Sequence, residues 1–324
     1  MRKVEYPENA WSSFLSHYEL GRPIFWEQAF GRRAPLVVEI GCGLGEFLVR
    51  TARTERNHNF VGIEQDWKRV KKTLRKIEFF YCKNQMPPFN NIRVIQTDAA
   101  VAFERLFVPL SLNKIFCLFP CPWPKQKHSK YRLFSRDFLK LLNSRLMMQG
   151  EVQIVTDHEP YCDWIIGELS STGFDYQKQI VQPRFETKFE RKWTQAGQKE
   201  FFQLSLVKAE HQDVAVTKDV ELKTYRVEEF DPDHFHLDEI AEDIVVVPKE
   251  FLYDVQRKKG MARLLVSEKG LTQQVWISIE KVVRGWLIAK TEGHTVLPTS
   301  GVARALHHVY QAAKCASDSA TQKS

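Results

Sequence analysis

The sequence lacks the features that would place the protein in a membrane or outside the cell. No apolar run reaches the roughly 20 residues of a membrane-spanning helix, and the first residues lack the apolar core of a signal peptide. The six cysteines include no C-x-x-C pair, which disfavours a disulfide framework or a zinc ribbon. We therefore expect a cytoplasmic protein that makes no membrane contact and has no metal site, and whose cysteines are mostly reduced and buried.

Length and charge indicate two domains of different character. A chain of 324 residues is long for one domain and suits two. The net charge of +7 is uneven, since residues 1–210 carry 32 Lys and Arg against 23 Asp and Glu. Residues 211–324 carry 15 against 17. The basic character belongs to the first part of the chain and favours a polyanionic partner there.

The stretch from Pro35 to Glu46 reads PLVVEIGCGLGE and is typical of a strand, a tight glycine turn and the start of a helix. Such a loop at the end of a parallel strand binds nucleotides. The glycines are spaced G-x-G-x-G, not G-x-G-x-x-G as in dinucleotide-binding proteins, and Glu39 lies two residues before the first of them. An acid at this position suits a cationic ligand better than a diphosphate, which disfavours a nicotinamide-dependent oxidoreductase.

Two further acids follow the next two predicted strands. Glu64 closes the strand 58–63 and could accept hydrogen bonds from ribose hydroxyls. Asp98 follows the strand 91–96 and could receive an adenine amino group. Each acid alone would more often be a helix N-cap, but three in register with a glycine loop resemble the S-adenosylmethionine pocket of Rossmann-like methyltransferases.

Residues 35–208 alternate short apolar strands with helical segments, which predicts a parallel sheet with helices on both faces. We expect seven strands near 36–40, 60–64, 91–96, 113–119, 151–156, 175–181 and 201–207. Helices are expected near 45–56, 66–84, 99–107, 134–147 and 160–172.

A proline-rich loop, PCPWPKQKHSKYR, follows the strand that ends at Phe119. Three prolines make this loop stiff, and its place at the carboxyl end of a strand puts it at the ligand crevice. Trp123 could stack on an extruded base. The side chains that could pair with phosphates are Lys125, Lys127, His128, Lys130 and Arg132. Further on, Asp157 ends the next strand, where either Thr156 or Asp157 could instead cap the following helix.

Together these pieces resemble the tRNA (guanine-N7-)-methyltransferase family over roughly residues 35–208. The matching stretches are VVEIGCGLGEFL, FVGIEQD, TDAA, FPCPWPKQKHSKYRL, TDHEPY and TKFER. The resemblance implies transfer of a methyl group from S-adenosylmethionine to N7 of a guanosine in the tRNA variable loop. It implies a cofactor site at Glu39, Gly41, Gly43, Gly45, Glu64, Asp98 and Ala99. It implies contacts to the target guanosine and its RNA surroundings at Lys125, Asp157, Thr187, Lys188, Phe189 and Glu190.

The chain departs from the family pattern at two places. Cys121 stands where the family has an aspartate regarded as catalytic, and Glu190 is followed by Arg-Lys-Trp-Thr instead of a glycine and a more basic tail. Guanine N7 carries a free lone pair, so no proton must be removed before methyl transfer. Loss of a carboxylate contact would nevertheless cost roughly a hundred- to a thousandfold in rate, unless Asp157 or Glu190 replaces it. A weakened or inactive tRNA-binding homologue is the alternative.

The remaining segments complete the expected domain organisation. Residues 1–34 are an aromatic-rich extension expected to pack on the catalytic domain, and 209–222 have the polar composition of a linker. Residues 223–316 predict a small β-rich α+β domain with a closing helix, and 317–324 a disordered tail. The second domain is mildly acidic, so we expect it to contact a protein partner or a second copy of the chain.

Overall fold

The computed structural model of the protein describes residues 13–83, 90–268 and 270–321. The chain divides into two compact units between Thr217 and Lys218, and each unit has its own hydrophobic core.

The first unit is built on an eight-stranded sheet. Its strands are β1 (Phe14–Leu15), β2 (Leu36–Ile40), β3 (Asn59–Glu64), β4 (Ile92–Gln96), β5 (Leu112–Leu118), β6 (Leu146–Thr156), β7 (Phe174–Val181) and β8 (Phe201–Lys208). The order is β1-β4-β3-β2-β5-β6-β8-β7, with β8 antiparallel to β6 and β7 and the other pairs parallel. The predicted α/β fold with seven strands is confirmed, and β1 adds a two-residue strand at one edge.

Helices cover both faces of this sheet. They are α1 (Trp26–Phe30), α2 (Glu46–Thr54), α3 (Trp67–Lys83), α4 (Ala99–Arg105), α5 (Arg136–Arg145), α6 (Glu159–Glu168) and α7 (Lys188–Gln195). Apolar residues of α2 and α3 form one cluster with the sheet, and those of α1, α4, α5 and α6 form another. Every residue of β2 and β3 is buried, as expected for parallel strands covered on both faces.

The strand order changes direction at β2, which pairs with β3 on one side and with β5 on the other. The connections that leave the two sides of such a strand diverge and open a crevice at its carboxyl end. The glycine loop begins there, directly after Ile40.

Three helical segments of the first unit were not predicted. Two are α1 and α7, and the third is a 3-10 helix, Gln126–Tyr131, within the proline-rich loop. The three prolines of that loop precede the 3-10 helix, so they fix its entry without interrupting it. The described part of the N-terminal extension contributes Leu15, Trp26 and Phe30 to the core, while residues 1–12 lie outside the described part of the chain.

The chain after β8 is fixed to the first unit, and we call residues 209–217 the strap. The fully buried guanidinium of Arg145 donates hydrogen bonds to the carbonyl oxygens of Phe103 (2.8 Å), Val214 (2.6 Å) and Ala215 (3.2 Å). Asn143 Nδ2 donates to the carbonyl of Glu210 at 2.9 Å. The boundary between the units therefore falls inside the segment 209–222 that was predicted as a linker.

The second unit is an antiparallel sheet with one long helix. Its strands are β9 (Tyr225–Val227), β10 (Ile240–Ala241), β11 (Ile244–Asp254), β12 (Lys259–Glu268), β13 (Leu271–Lys281) and β14 (Trp286–Lys290), in the order β10-β11-β12-β13-β14-β9. Helix α8 (Ser300–Thr321) packs Val302, Leu306 and Val309 against alternate residues of the strands. The predicted small α+β domain is confirmed.

Helix α8 continues through the first five residues of the segment predicted as a disordered tail. Residues 322–324 lie outside the described part of the chain. Within the described residues, no helix is both long enough and apolar enough to cross a membrane.

We predict that Arg145→Met lowers the free energy of unfolding by on the order of 3 kcal/mol, because buried carbonyl groups lose a charged donor. Arg136→Met, at the exposed start of the same helix, should change it by less than about 0.5 kcal/mol. Urea denaturation of both variants measures the difference. Equal stability of the Arg145 variant and the wild type would contradict the structural role of the strap.

Candidate functional site

A cavity of about 780 Å³ opens at the carboxyl ends of the central strands of the first unit. The cavity lies at the end of β2, the strand at which the strand order changes direction, as expected for an open α/β sheet. The predicted site residues that line it are Glu39, Gly41, Gly43, Glu64, Asp98, Ala99, Cys121, Asp157, Thr187, Lys188 and Phe189. The two predicted sites, for a nucleotide and for a target, therefore form one continuous cavity.

The glycine loop requires glycine at more than one position. Gly41, Gly43 and Gly45 have φ values of 67°, 57° and 66°, in the left-handed region that side chains with a Cβ rarely adopt. A Cβ on Gly45 would lie 2.4 Å from Cγ2 of Thr73. Gly45 is the N-cap residue of α2 and does not line the cavity. It shapes the loop, and its predicted cofactor role is indirect.

Glu39 is buried at the end of β2 and lines the cavity. Its Oε2 atom has no hydrogen-bond partner among the described residues. Burial raises the pKa of the Glu39 carboxyl to about 8, although a backbone hydrogen bond from Leu48 and the charge of Arg50 act in the opposite direction. An incoming cation would restore the ionised form, so this side chain is suited to a positively charged ligand.

Glu64 and Asp98 are held rigidly at the wall of the cavity. Glu64 accepts hydrogen bonds from the backbone N–H groups of Gly43 and Asp66, both at 3.0 Å. Asp98 Oδ1 accepts from the N–H of Ala100 at 2.8 Å and so caps α4, while Oδ2 accepts from the Gln65 amide. Asp98 is therefore both a helix cap and a cavity residue, and capping does not exclude the nucleotide role.

The proline-rich loop is held by Arg132, one of the side chains predicted to contact RNA. Its guanidinium donates to the carbonyl oxygens of Pro122 (3.1 Å) and Trp123 (3.3 Å) and lies 5.0 Å from the ring centre of Trp164. The backbone is strained within this loop, since Trp123 has a φ of 43°. The hydrogen bonds from Arg132 stabilise that conformation.

The other cations predicted to contact RNA lie on the rim of this loop. Lys125, Lys127 and Lys130 are exposed, and none of them lines the cavity. The ring of His128 lies 5.8 Å from that of Trp123, which does line it. These lysines therefore lie on the outer surface of the proline-rich loop.

Cys121 and Asp157 line the cavity on the side of the proline-rich loop. Cys121 is exposed, whereas Cys42, Cys117 and Cys162 are buried. The helix after β6 is capped by His158, whose Nδ1 accepts from the backbone N–H of Tyr161 at 3.1 Å. Neither Thr156 nor Asp157 is this cap, so the Asp157 side chain is available to a ligand.

Residues 184–191, which we call the substrate segment, close this side of the cavity. Thr187, Lys188 and Phe189 line it, but Glu190 is buried and does not. The Glu190 carboxylate accepts hydrogen bonds from the backbone N–H groups of Arg184 (2.8 Å), Phe185 (3.0 Å) and Glu186. Glu190 therefore shapes the segment, and its predicted contact with the substrate stays a prediction.

Glu46, Arg69 and Trp193 also line the cavity without having been predicted from the sequence. Glu46 directly follows the glycine loop and Arg69 lies five residues after Glu64, so closeness to predicted site residues could have indicated both. Trp193 lies on α7, which the sequence did not reveal as a helix.

The fold and the glycine loop with its acidic strand ends define the first unit as a methyltransferase. A family model with the description "Putative methyltransferase" matches residues 33–203. A tRNA (guanine-N(7)-)-methyltransferase of Chlorobium phaeobacteroides is 41% identical over 174 residues, which cover 54% of this chain and 82% of the relative. The chain therefore belongs to the tRNA (guanine-N(7)-)-methyltransferase family, as the resemblance implied.

Two further relatives carry the similarity into the second unit. The tRNA (guanine-N(7)-)-methyltransferase of Thermus thermophilus is 30% identical and the alignment covers 80% of this chain and 82% of the relative. That of Aquifex aeolicus is 28% identical, with 85% and 93% covered. These alignments are longer than the first unit, so both relatives extend beyond it.

The likeness to one solved methyltransferase structure is distant. The 16S rRNA methyltransferase KamB overlaps 57% of this chain and 93% of its own, with a TM-score of 0.43 and 15% identity.

We predict that Glu190→Gln accelerates hydrogen exchange of the backbone amides of residues 184–186 by at least about tenfold, because a hydrogen bond to a charged group is worth about 1.5–3 kcal/mol. The exposed Glu200, in the loop before β8, provides the control variant Glu200→Gln, which should leave these amides unchanged. Mass spectrometry of exchanged peptides measures the effect. Unchanged exchange in the Glu190 variant would contradict the shaping role.

Proposed function

We propose that the protein transfers the methyl group of S-adenosylmethionine to N7 of a guanosine in the variable loop of tRNA. The observation that carries the proposal is the continuous cavity. An acid-lined glycine loop forms one part of it, and the proline-rich loop with the substrate segment forms the other. Family membership supports the same reaction.

The cofactor-binding part would consist of Glu39, Gly41, Gly43, Glu64, Asp98 and Ala99, with Gly45 shaping the loop. When bound, S-adenosylmethionine supplies an electrophilic methyl group on a positively charged sulfur. The unpaired, buried oxygen of Glu39 fits a ligand that carries positive charge. The rigid carboxylates of Glu64 and Asp98 keep lone pairs for hydroxyl and amino donors.

At the target end, the chain must place guanine N7 in line with the methyl group. The N7 lone pair needs no general base, so placement is the main requirement, and it can supply on the order of 7–11 kcal/mol. Thr187, Lys188 and Phe189 on one side and Trp123 on the other would confine the base. Asp157 would accept hydrogen bonds from the base and offset the positive charge that develops on it.

Asp157 is the stronger of the two candidates to replace the family aspartate at position 121. The Glu190 carboxylate accepts hydrogen bonds from backbone N–H groups of the substrate segment. Asp157, in contrast, lines the cavity together with Cys121. The relatives give no support to the alternative of an inactive tRNA-binding homologue. We therefore assign the charge compensation to Asp157 and no essential role to the Cys121 thiol.

The tRNA would be held outside the cavity by the exposed cations of the proline-rich loop. Lys125, Lys127 and Lys130 are exposed and match a phosphate backbone in charge, and His128 lies in the same loop. The net positive charge of residues 1–210 acts in the same direction. Contact of the second unit with a protein partner or a second copy of the chain stays an expectation.

We predict that cofactor binding at pH 7 releases close to one proton from Glu39. Its pKa of about 8 leaves the free side chain mostly neutral, and a bound cation favours the ionised form. Affinity should therefore rise as the pH increases towards 8. Calorimetry in buffers of different ionisation enthalpy measures this release. Comparison with Glu39→Gln cancels the titration of the ligand's own amino group, and equal proton release in both proteins would contradict the role of Glu39.

The proposed reaction is tested with labelled S-adenosylmethionine and an unmodified tRNA transcript. We expect label in 7-methylguanosine, and none in a transcript whose variable-loop guanosine is replaced by adenosine. Absence of this product with the intact transcript at saturating concentrations would refute the function.

In the same assay, Asp157→Asn should lower kcat by about 10²–10³, the usual cost of losing one electrostatic contact to the transition state. Cys121→Ala is the matched change in the same cavity and should lower kcat by less than about threefold. A larger loss at Cys121 than at Asp157 would reverse the assignment.

A further inference from the structure

Helix α2 contacts the substrate segment through charged side chains. Arg50 Nη1 lies 2.8 Å from Glu186 Oε2, and Arg50 Nη2 donates to the carbonyl oxygen of Phe185 at 2.5 Å. Arg50 does not line the cavity. Its contacts join two parts of the chain that are about 135 residues apart in sequence.

The first residue of α2 makes a second connection. The Glu46 carboxylate accepts a hydrogen bond from the backbone N–H of Lys188 and pairs with the guanidinium of Arg191. The ring centres of the buried side chains Phe47, on α2, and Phe185, in the segment, lie 5.9 Å apart. The first turns of α2 therefore hold both ends of the substrate segment.

The substrate segment needs this support because part of it is strained. Glu186 has a φ of 50°, a conformation that a residue with a side chain adopts only when its surroundings impose it. Arg50 contacts both the side chain of Glu186 and the carbonyl group of the preceding residue. Its guanidinium therefore holds the strained residue, Glu186, from both sides of one peptide bond. The next three residues, 187–189, line the cavity.

The N-cap residue of the same helix is Gly45, the last glycine of the predicted cofactor loop. A rigid element thus connects the loop that would hold the cofactor to the segment that would hold the target base. We propose that Arg50 is a positioning residue, which fixes the substrate segment on α2 so that the target guanosine meets an ordered surface. This inference rests on the proposed function and adds a specificity-determining contact outside the cavity.

A direct contact between Arg50 and an RNA phosphate is the rival explanation, and the partner Glu186 separates the two. If Arg50 acts by holding the segment, Glu186→Gln weakens the hold and raises KM for tRNA. If Arg50 acts on phosphate, Glu186→Gln removes an opposing negative charge and lowers KM for tRNA.

The main test compares Arg50→Met with Arg53→Met. Arg53 lies on the same helix, with its guanidinium 4.2 Å from the ring centre of Phe80, and within the described residues it forms no hydrogen bond or ion pair with the substrate segment. Both variants lose one positive charge from α2. We expect Arg50→Met to raise KM for tRNA about tenfold and to change kcat by less than about threefold, since it removes order in the binding surface and no group at the reacting atoms.

Arg53→Met should leave both constants within about twofold of the wild type. Arg50 also lowers the pKa of Glu39 through its charge, so binding of S-adenosylhomocysteine is measured by calorimetry in both variants at one pH. In Arg50→Met it should weaken by much less than KM for tRNA rises. Unchanged KM in Arg50→Met, or an equal rise in both variants, would overturn the proposal, as would a lower KM in Glu186→Gln.

Hydrogen exchange of residues 184–191 gives a readout that does not depend on activity. Exchange should be faster in Arg50→Met than in the wild type and unchanged in Arg53→Met. If the wild type fails to methylate tRNA, the proposed function fails, but faster exchange in Arg50→Met would still support the hold on the segment. Unchanged exchange in that variant would refute it.

Discussion

The reversal of strand order at β2 is the constraint on which the rest of the first unit depends. Because β2 pairs with β3 on one side and β5 on the other, the loops that follow these strands diverge and leave a crevice between them. The glycine loop can turn into that crevice only through left-handed backbone, which is why its glycines are needed. The nearby acids, the proline-rich loop and the substrate segment all follow strands or helices that end at the same edge.

The electrostatics of the site follow from this arrangement. Acidic side chains outnumber basic ones in the cavity lining, and Glu39 is so poorly solvated there that it keeps its proton near neutral pH. The exposed lysines of the proline-rich loop lie outside the lining. A small cation and a large polyanion can therefore use neighbouring regions without competing for the same charges, and the buried acid does not repel the RNA while it remains neutral.

The strands, the glycine loop and the three acids could be predicted from the sequence because each depends on local pattern. Strand bounds from hydrophobic runs agree with the structure to within one or two residues, except that β6 begins at Leu146. The roles of Arg132, Glu190 and Asp157 depend on which partners fold against them. Arg132 lies in a basic loop, so the sequence indicates a phosphate contact. Its hydrogen bonds to the carbonyl groups of Pro122 and Trp123 can be seen only in the structure. The position of Asp157 before a helix likewise favours a capping role, but in the structure His158 is the cap.

The strap has a consequence for how small an independent catalytic unit can be. A polypeptide that stopped at the last strand, at Lys208, would keep Arg145 in the interior. It would lose the carbonyl groups of Val214 and Ala215, which accept hydrogen bonds from the Arg145 guanidinium. A guanidinium cannot shed its charge as a lysine can, so the shortened chain would have to open its core to water. The shortest self-sufficient form of this enzyme therefore ends near Thr217, several residues into a stretch whose composition looks dispensable.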